Sequence, residues 1–285
     1  MHTVNLYPRF TDAEFSRRYA DVRAAMREDG LDALLLYSTV GAYNEVLYLS
    51  NFQATREAML VFPLEGEPTL LLQMFNHVPN ARRVACVDDV RWGGPDTAAA
   101  TVECLAEKGL VASRIGLIGT LPYKQYETLR RMLSTATFSD FSRHMTQIRL
   151  VKSAEEIEFL RKGAELSDRA IEALAREIRP GLTEHELVAI IENAYLGLGG
   201  RTHIHYLATT PMSNPSVCVP AQHQSNRVIE AGDVLITEIS AHYSGYPGQI
   251  LRPFSIGSPP TPQYQRMYDV AFETFQRICE VLRPG

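Results

Sequence analysis

The sequence has few of the residues that build disulfide frameworks or structural metal sites. Its four cysteines show no CxxC spacing: Cys86, Cys104, Cys218 and Cys279. They lie mostly in apolar or helix-like surroundings. This pattern predicts buried thiols in a reducing compartment.

The chain also lacks an excess of basic residues and any long apolar run. Lys and Arg number 28 against 33 Asp and Glu, a formal charge of −5, and the basic residues are scattered. Nucleic acid is therefore not an expected partner. The N-terminus MHTVNLYPRFTDAEF has no basic-then-apolar signal pattern, and no apolar run is long enough to span a membrane. We expect a cytoplasmic protein without a membrane partner.

With 285 residues, 45% of them hydrophobic, the chain is long enough for one large or two ordinary domains with buried cores. In the front half, Thr11 and Glu14 form a capping-box pattern that starts a helix, which should end at Gly30. Buried strands are predicted at 33–37, 45–50, 58–62, 69–73 and 115–119, and helices at 98–109 and 122–134. This alternation predicts a layered α/β domain.

The back half opens with a long amphipathic helix whose capping box pairs Ser153 with Glu156. Gly181 ends that helical region, and Thr183 with Glu186 starts a second helix, which should reach residue 198. Residues 203–257 are rich in strand patterns, and a last helix is predicted from 262 to 282.

Three stretches of this half resemble motifs of the creatinase, prolidase and aminopeptidase P family. They are RLVKSAEEIEFLRKGAELSDRAI from Arg149, RPGLTEHEL from Arg179, and SNRVIEAGDVLITEISAHYSGYPGQILRPFSIG from Ser225. The third is similar to the family signature G-D-x-V-x-x-D-x-G-x-x-x-x-G-Y-x-S-D-x-T-R-T-F. The resemblance implies an α/β N-terminal creatinase-like domain over 1–148. An α+β pita-bread catalytic domain over 149–285 follows, incomplete at its C-terminus, commonly in a homodimer.

The chain departs from the family at the metal ligands. The metallopeptidase members hold two divalent ions with the two aspartates of the signature, where this chain has Glu238 and Gln249. A glutamine supplies only a neutral carbonyl oxygen, which suits two cations poorly. We therefore expect no metal, or a divalent ion (Mn, Zn, Co or Fe) at weak or single-ion occupancy. Family members also continue past Gly285 with another histidine and two glutamates, so the chain is a fragment or an incomplete catalyst.

Several histidines are candidates for the site. The family carries a histidine after a proline that Pro220 matches, but Ala221 follows here, and His223 lies two positions later. In an extended segment His223 would point to the same side as Ala221; the alternative is a surface loop histidine. His203 and His205 should share one face of a strand, either as metal ligands or, as we favour, as hydrogen-bonded imidazoles.

Each remaining candidate has two possible roles, a functional one and a purely structural one. His242 shares a face with Glu238 and either contacts substrate or caps the strand end. Arg252 should pair with carboxylates and order its strand. Phe52 and Arg56 correspond to the aromatic and arginine that creatinases present to substrate in the neighbouring subunit, although a loop arginine is more often solvated. Trp92 lines a domain interface or simply packs.

The resemblance thus implies a hydrolase of a C–N bond in a small amide, imidodipeptide or amidine. Glu238 and His223 would be catalytic, while Gln249, Arg56, Phe52 and His242 would bind a small-molecule or dipeptide-like substrate. Creatinases cleave such a bond on this fold without metal, and the run EISAHY is similar to ectoine hydrolases. Two alternatives stay open: an Xaa-Pro dipeptidase or aminopeptidase with an altered metal site, and a catalytically inert binding relative.

Overall fold

A computed structural model describes residues 6–41 and 44–284, so the ends of the two predicted domains, residues 1–5 and Gly285, lie outside the described residues. The chain divides into two compact units, Met1–Glu155 and Glu156–Gly285. Each unit has its own sheet and its own core. No helix of the described chain combines the length and the apolar character needed to cross a membrane.

The first unit is built on a six-stranded mixed sheet in the order β4-β3-β2-β1-β5-β6. Its strands are β1 (Ala33–Ser38), β2 (Ala58–Pro63), β3 (Thr69–Leu72), β4 (Asp89–Trp92), β5 (Arg114–Ile118) and β6 (Thr137–Asp140). Its helices are α1 (Asp12–Asp29), α2 (Asn44–Ser50), α3 (Val78–Val84), α4 (Thr97–Glu107), α5 (Tyr123–Met132) and α6 (Ser142–Ile148). Every residue of β1, β2 and β3 is buried, as their apolar runs predict. The predicted α/β layering of this half is confirmed.

The capping box predicted for α1 forms only in part. The Thr11 hydroxyl accepts a hydrogen bond from the backbone N–H of Glu14, and Gly30 ends the helix with φ 63°. The Glu14 carboxylate does not return to Thr11, because Arg17 and Arg18 both bind it.

The strand predicted at 45–50 is wrong, since these residues form helix α2. Val46 and Leu49, three positions apart, are both fully buried, and a strand would turn them to opposite faces. The Ser50 hydroxyl donates to the carbonyl of Val46 one turn earlier. The apolar residues of this stretch are compatible with the repeat of a strand or of a helix. The spacing of the buried pair fits the helix.

The second unit pairs three long antiparallel strands in the order β7-β8-β9. Its elements are α7 (Ala154–Glu177), α8 (Glu184–Asn193), β7 (Arg201–Pro211), β8 (Asp233–Tyr243), β9 (Tyr246–Ser255) and α9 (Pro262–Val281). The capping box of Thr183 and Glu186 is present at the start of α8. This helix ends before the predicted residue 198, where a short 3-10 turn leads into Gly199 with φ 82°.

The buried-thiol prediction holds only for the first unit. Cys104 is buried and Cys86 half-buried, whereas Cys218 and Cys279 are exposed. All four are free thiols.

Helix α7 approaches the β8–β9 hairpin so closely that only glycine fits at the contact. A Cβ on Gly163 would lie 2.3 Å from the carbonyl oxygen of Tyr246. A Cβ on Gly248 would meet the backbone of Ala164 at the same 2.3 Å. Ser167, one turn on, donates to the Gly248 carbonyl and accepts from the Ala241 N–H. The helix is thereby fixed on the hairpin that carries positions 238 and 249.

We predict that Gly163→Ala destabilises the protein, although alanine favours a helix more than glycine does. The added methyl group forces the helix away from the hairpin backbone, at a cost of about 1–3 kcal/mol in the free energy of unfolding. Urea unfolding measures it. Gly197→Ala is the matched control, because nothing lies within 4 Å of its added Cβ. Equal stability of both variants would contradict the close contact.

Candidate active site

The candidate site lies on one face of the β7-β8-β9 sheet. Glu238 is directly opposite Tyr206 on β7 and Leu251 on β9, and Gln249 is opposite Ser240. Directly opposed residues share a face of an antiparallel pair, and so do alternate residues of one strand. Glu238, Ser240, Gln249 and Tyr206 therefore share a face, which we call the site face.

The two positions that replace the signature aspartates contact each other. The side-chain N–H of Gln249 donates to a carboxylate oxygen of Glu238 at 2.8 Å. An ionised carboxylate only accepts hydrogen bonds, so the amide nitrogen of Gln249 is the atom that must face it. Glu238 is half-buried and Gln249 exposed. This leaves the second Glu238 oxygen and the Gln249 carbonyl oxygen as acceptors.

These residues do not fit a pair of divalent ions. A dinuclear centre needs several anionic oxygen or imidazole ligands, and the site face offers one carboxylate whose neighbour presents an N–H group to it. Within residues 6–41 and 44–284, no three His, Cys, Asp or Glu side chains are grouped so that they could hold a metal ion.

His242 lies at the end of the site face and is buried. Its Nδ1 accepts a hydrogen bond at 2.9 Å from the N–H of Gly245 in the β8–β9 turn, which is the strand-end contact. Burial, and then the neighbouring His203, whose ring centroid is 6.2 Å away, lower the pKa of His242 to about 4. The imidazole is therefore neutral at pH 7, with its proton on Nε2.

The expected sharing of one face by His203 and His205 is wrong. A β-bulge between Thr202 and Ile204 shifts the register, so the ring of His203 lies beside His242 on the site face. His205 instead turns into the core, where its Nε2 is 2.6 Å from the Tyr195 hydroxyl. The two imidazoles cannot bind one metal ion.

His223 is not in an extended segment, because the chain bends at residues 222 and 223. The carbonyl of Ala221 accepts from the Leu207 N–H, which places this segment on the side of β7 away from β8. Two strand spacings, about 10 Å, thus separate Ala221 from β8. His223 itself is exposed, and its catalytic role stays a prediction.

A buried polar network, which no sequence pattern indicates, holds this segment. The Glu184 carboxylate accepts four hydrogen bonds, from the N–H and hydroxyl groups of Thr209 and of Ser225, at 2.7 to 2.9 Å. Arg227 donates to the Thr209 hydroxyl and binds both carboxylate oxygens of Asp233. The network joins α8, β7, β8 and the 221–227 segment.

Both carboxylates of this network are held ionised. Burial opposes the charge on Glu184, but the hydrogen bonds from Ser225 and Thr209 outweigh it and lower its pKa. Burial likewise opposes the charge on Asp233, and the hydrogen bonds from Arg227 and from the Glu230 N–H lower that pKa. The stretch RPGLTEHEL contains Glu184, but nothing in it identifies partners 25 and 41 residues away.

The other predicted residues lie elsewhere. Phe52 is buried in the core of the first unit, where packing accounts for it, and Arg56 is exposed and donates to the Thr55 carbonyl. Arg252 is opposite Thr237, on the other face from Glu238, and donates to the Leu251 carbonyl rather than to a carboxylate. Trp92 is 47% exposed and meets Phe75 edge to face.

Two family models match the chain, one in each half. Residues 18–151 match the Creatinase/Prolidase N-terminal domain, and residues 158–285 match Metallopeptidase family M24. The chain is 29% identical over 171 residues to an Xaa-Pro dipeptidase of Pyrococcus furiosus, covering 60% of this chain and 48% of that protein. The match therefore spans about half of that relative's length.

Two further similarities extend over nearly the whole chain. The uncharacterized hydrolase/peptidase y4tL of Sinorhizobium fredii is 26% identical, covering 97% of this chain and 74% of that protein. The solved prolidase of Pyrococcus horikoshii OT3 superposes with a TM-score of 0.78 at 22% identity, over 94% of this chain and 73% of that one. This structural similarity shows the fold: a creatinase-like N-terminal domain followed by a pita-bread domain, as predicted.

We predict that Glu184→Gln destabilises the protein at neutral pH by about 2–3 kcal/mol, because an amide N–H group would face donors that now bind a carboxylate. The folded-state pKa of Glu184 is lowered. Its stabilising effect is therefore present above the usual value of 4.5 and is lost as the pH falls below it.

Unfolding by urea at pH 7 and at successively lower pH values measures this difference. It should shrink on acidification, because protonated Glu184 resembles glutamine. Glu165→Gln is the control, since it makes the same change in an exposed ion pair of α7. A difference that is independent of pH would contradict an ionised Glu184.

Proposed function

We propose that this chain hydrolyses a C–N bond of a small amide, imidodipeptide or amidine. The premise is that the chain belongs to the creatinase, prolidase and aminopeptidase P family. The proposal includes a mechanism other than dinuclear metal catalysis. It also includes a homodimer located in the cytoplasm, where the free thiols would stay reduced.

The observation that carries the proposal is the hydrogen bond from Gln249 to Glu238. The pair presents two acceptors side by side, one carboxylate oxygen and one amide oxygen. Such a pair suits a substrate with several N–H groups, as amides, amidines and dipeptides with a free amino group have. The site face would recognise its substrate through hydrogen bonds where the metallopeptidases of the family use two cations.

The chemistry follows from the same side chains. Glu238 would take a proton from an attacking water, whose oxygen bonds to the substrate carbon. The C–N bond then breaks, and the proton passes to the leaving nitrogen. His223 would assist this proton transfer, and Gln249 would keep the Glu238 carboxylate in place. A divalent ion (Mn, Zn, Co or Fe) would bind at most weakly or singly.

Three residues complete the substrate contacts of the proposal. His242 would donate from Nε2 at the end of the site face. Arg56, which is exposed, would contact a substrate carboxylate from the neighbouring subunit of the homodimer, as the resemblance to creatinases implies. Phe52, the aromatic of the same resemblance, is buried in the core of the first unit and would reach a substrate only if its segment rearranged.

A second candidate function is supported by relatives named Xaa-Pro dipeptidase, such as that of Pyrococcus furiosus. In this case a dipeptide with proline in second place would be the substrate, and Glu238 would be a metal ligand. A neutral Gln249 disfavours this function, because two cations would lack an anionic oxygen ligand at this position.

We predict at most one equivalent of divalent metal per purified chain, measured by elemental analysis after dialysis against Mn²⁺, Zn²⁺, Co²⁺ or Fe²⁺. Replacing the amide by a carboxylate, Gln249→Asp, should raise the bound metal, because a second anionic ligand then faces Glu238. Two equivalents bound by the unchanged chain would support the dipeptidase and overturn the metal-poor site.

Turnover distinguishes an enzyme from an inert relative. Release of product from proline dipeptides, creatine and ectoine should fall at least about 100-fold in Glu238→Ala, the scale of a lost general base. Glu165→Ala serves as the exposed control. Unchanged turnover in Glu238→Ala would remove Glu238 from the site, and no turnover of any compound by the unchanged chain would favour the inert relative.

A further inference from the structure

A chain of hydrogen-bonding side chains crosses the second unit on the side of β7 away from the site face. The Nε2 of His205 is 2.6 Å from the Tyr195 hydroxyl, and this hydroxyl is 2.7 Å from that of Thr202. The Thr202 hydroxyl is in turn 2.8 Å from a carboxylate oxygen of Glu192. Three consecutive contacts therefore join a buried imidazole to a half-buried carboxylate.

The four side chains supply fewer hydrogens than their three hydrogen-bond contacts require. His205 Nδ1 is 2.6 Å from the carbonyl of Ile204, which only accepts, so Nδ1 carries a hydrogen. A neutral His205 then has a bare Nε2, and an ionised Glu192 has no proton to donate. The two hydroxyl groups of Tyr195 and Thr202 supply one proton each, so one of the three contacts lacks its hydrogen.

We propose that these four residues form a protonation site, which takes up one proton and thereby completes all three hydrogen bonds. With the proton on His205, each group donates toward Glu192: imidazolium to Tyr195, Tyr195 to Thr202, and Thr202 to the carboxylate. With the proton on Glu192, every donor direction reverses and His205 is neutral. The two forms differ by movement of protons along the chain.

The surroundings determine when the site fills. Burial is the main cause that lowers the pKa of His205, and its contact with the Ile204 carbonyl and the charge of Glu192 oppose this only in part. The residue opposite His205 on β8 is the apolar Ile239, and Glu192 is the charged group that acts on the imidazole from α8. His205 is therefore neutral at pH 7, the state in which one of the three contacts lacks its hydrogen, and the added proton is taken up in acid.

Protonation also bears on the segment that carries His223. The backbone carbonyl of His205 accepts from the side chain of Gln224, the residue after His223. When all three hydrogen bonds are made, they hold Glu192 of α8 and Tyr195 against β7 near His205. The protonation site thus connects pH with the anchoring of β7 between α8 and the 221–227 segment.

The variant Glu192→Gln tests the proton count. A glutamine amide donates to Thr202 permanently, so Thr202, Tyr195 and neutral His205 form the complete chain without an added proton. We expect this variant to melt higher than the unchanged protein at pH 8, by about 2–4 °C, the shift that one hydrogen bond gives in a domain of this size. The gain should shrink as the pH is lowered, because the unchanged protein then takes up its proton.

The direction in which this stability difference changes with pH follows from how protonation affects each protein. Protonating His205 in Glu192→Gln turns its acceptor nitrogen into a donor and breaks the completed chain, so acid costs this variant more than the unchanged protein. Thermal unfolding in steps from pH 8 to pH 5 gives both curves. Glu165→Gln, which removes the same charge at an exposed place, should show no gain.

Two results would overturn the proposal. One is a Glu192→Gln variant that melts no higher than the unchanged protein at pH 8, or that keeps its gain when Tyr195→Phe interrupts the chain. The other comes from nitrogen NMR of His205 in the unchanged protein, which should show a proton on Nδ1 alone at pH 8. In acid, a proton on both ring nitrogens identifies the form protonated on His205, and a proton on Nδ1 alone the form protonated on Glu192. A proton on Nε2 alone at pH 8 would remove the basis of the count.

Discussion

The buried carboxylate of Glu184 is the group on which the second unit depends. It lies at the start of α8 and accepts hydrogen bonds from β7 and from the 221–227 segment, which share no continuous piece of chain. An ionised group is expensive to bury unless its oxygens are fully hydrogen-bonded, and here four donors meet two oxygens. Arg227 extends the same network to Asp233 at the start of β8. This one network therefore fixes the positions of α8, β7, β8 and the 221–227 segment relative to one another.

The register of β8 and β9 then determines the chemistry of the site face. Ser240 pairs with Gln249, so Gln249 and Glu238 come within hydrogen-bond distance from neighbouring strands. In this arrangement two anionic side chains would repel each other unless a cation lay between them. A glutamine removes the repulsion and supplies its own N–H group in the cation's place. Glu238 and Gln249 therefore lie together without repulsion, and the pairing of β8 with β9 continues through both positions.

The elements that sequence could predict are those in which one period dominates. The apolar run of β1 and the T-E-x-E start of α8 are local patterns, and both formed as expected. The predictions that failed did so for two reasons: another side chain competed for the same partner, or the partners lay far apart in the sequence. Glu14 satisfied the capping pattern of α1, yet Arg17 and Arg18 are stronger partners for its carboxylate than a backbone N–H.

The candidate site shows the same limit. Glu238 and Gln249, the positions that the signature singled out, lie on the neighbouring strands β8 and β9, because the two strands pair as a hairpin. The bulge after Thr202 and the partners of Glu184 have no such signal, since each depends on groups brought together only by the fold.

Two kinds of buried polar groups occur in the second unit, and they differ in charge. The carboxylates of Glu184 and Asp233 are surrounded by donors and stay ionised, whereas His205 and His242 lack that compensation and stay neutral at pH 7. Glu238 belongs to neither group. In the described part of the chain no Lys or Arg forms an ion pair with it, and its one hydrogen bond comes from a neutral amide. The second carboxylate oxygen of Glu238 therefore has no hydrogen-bond partner in the described part of the chain.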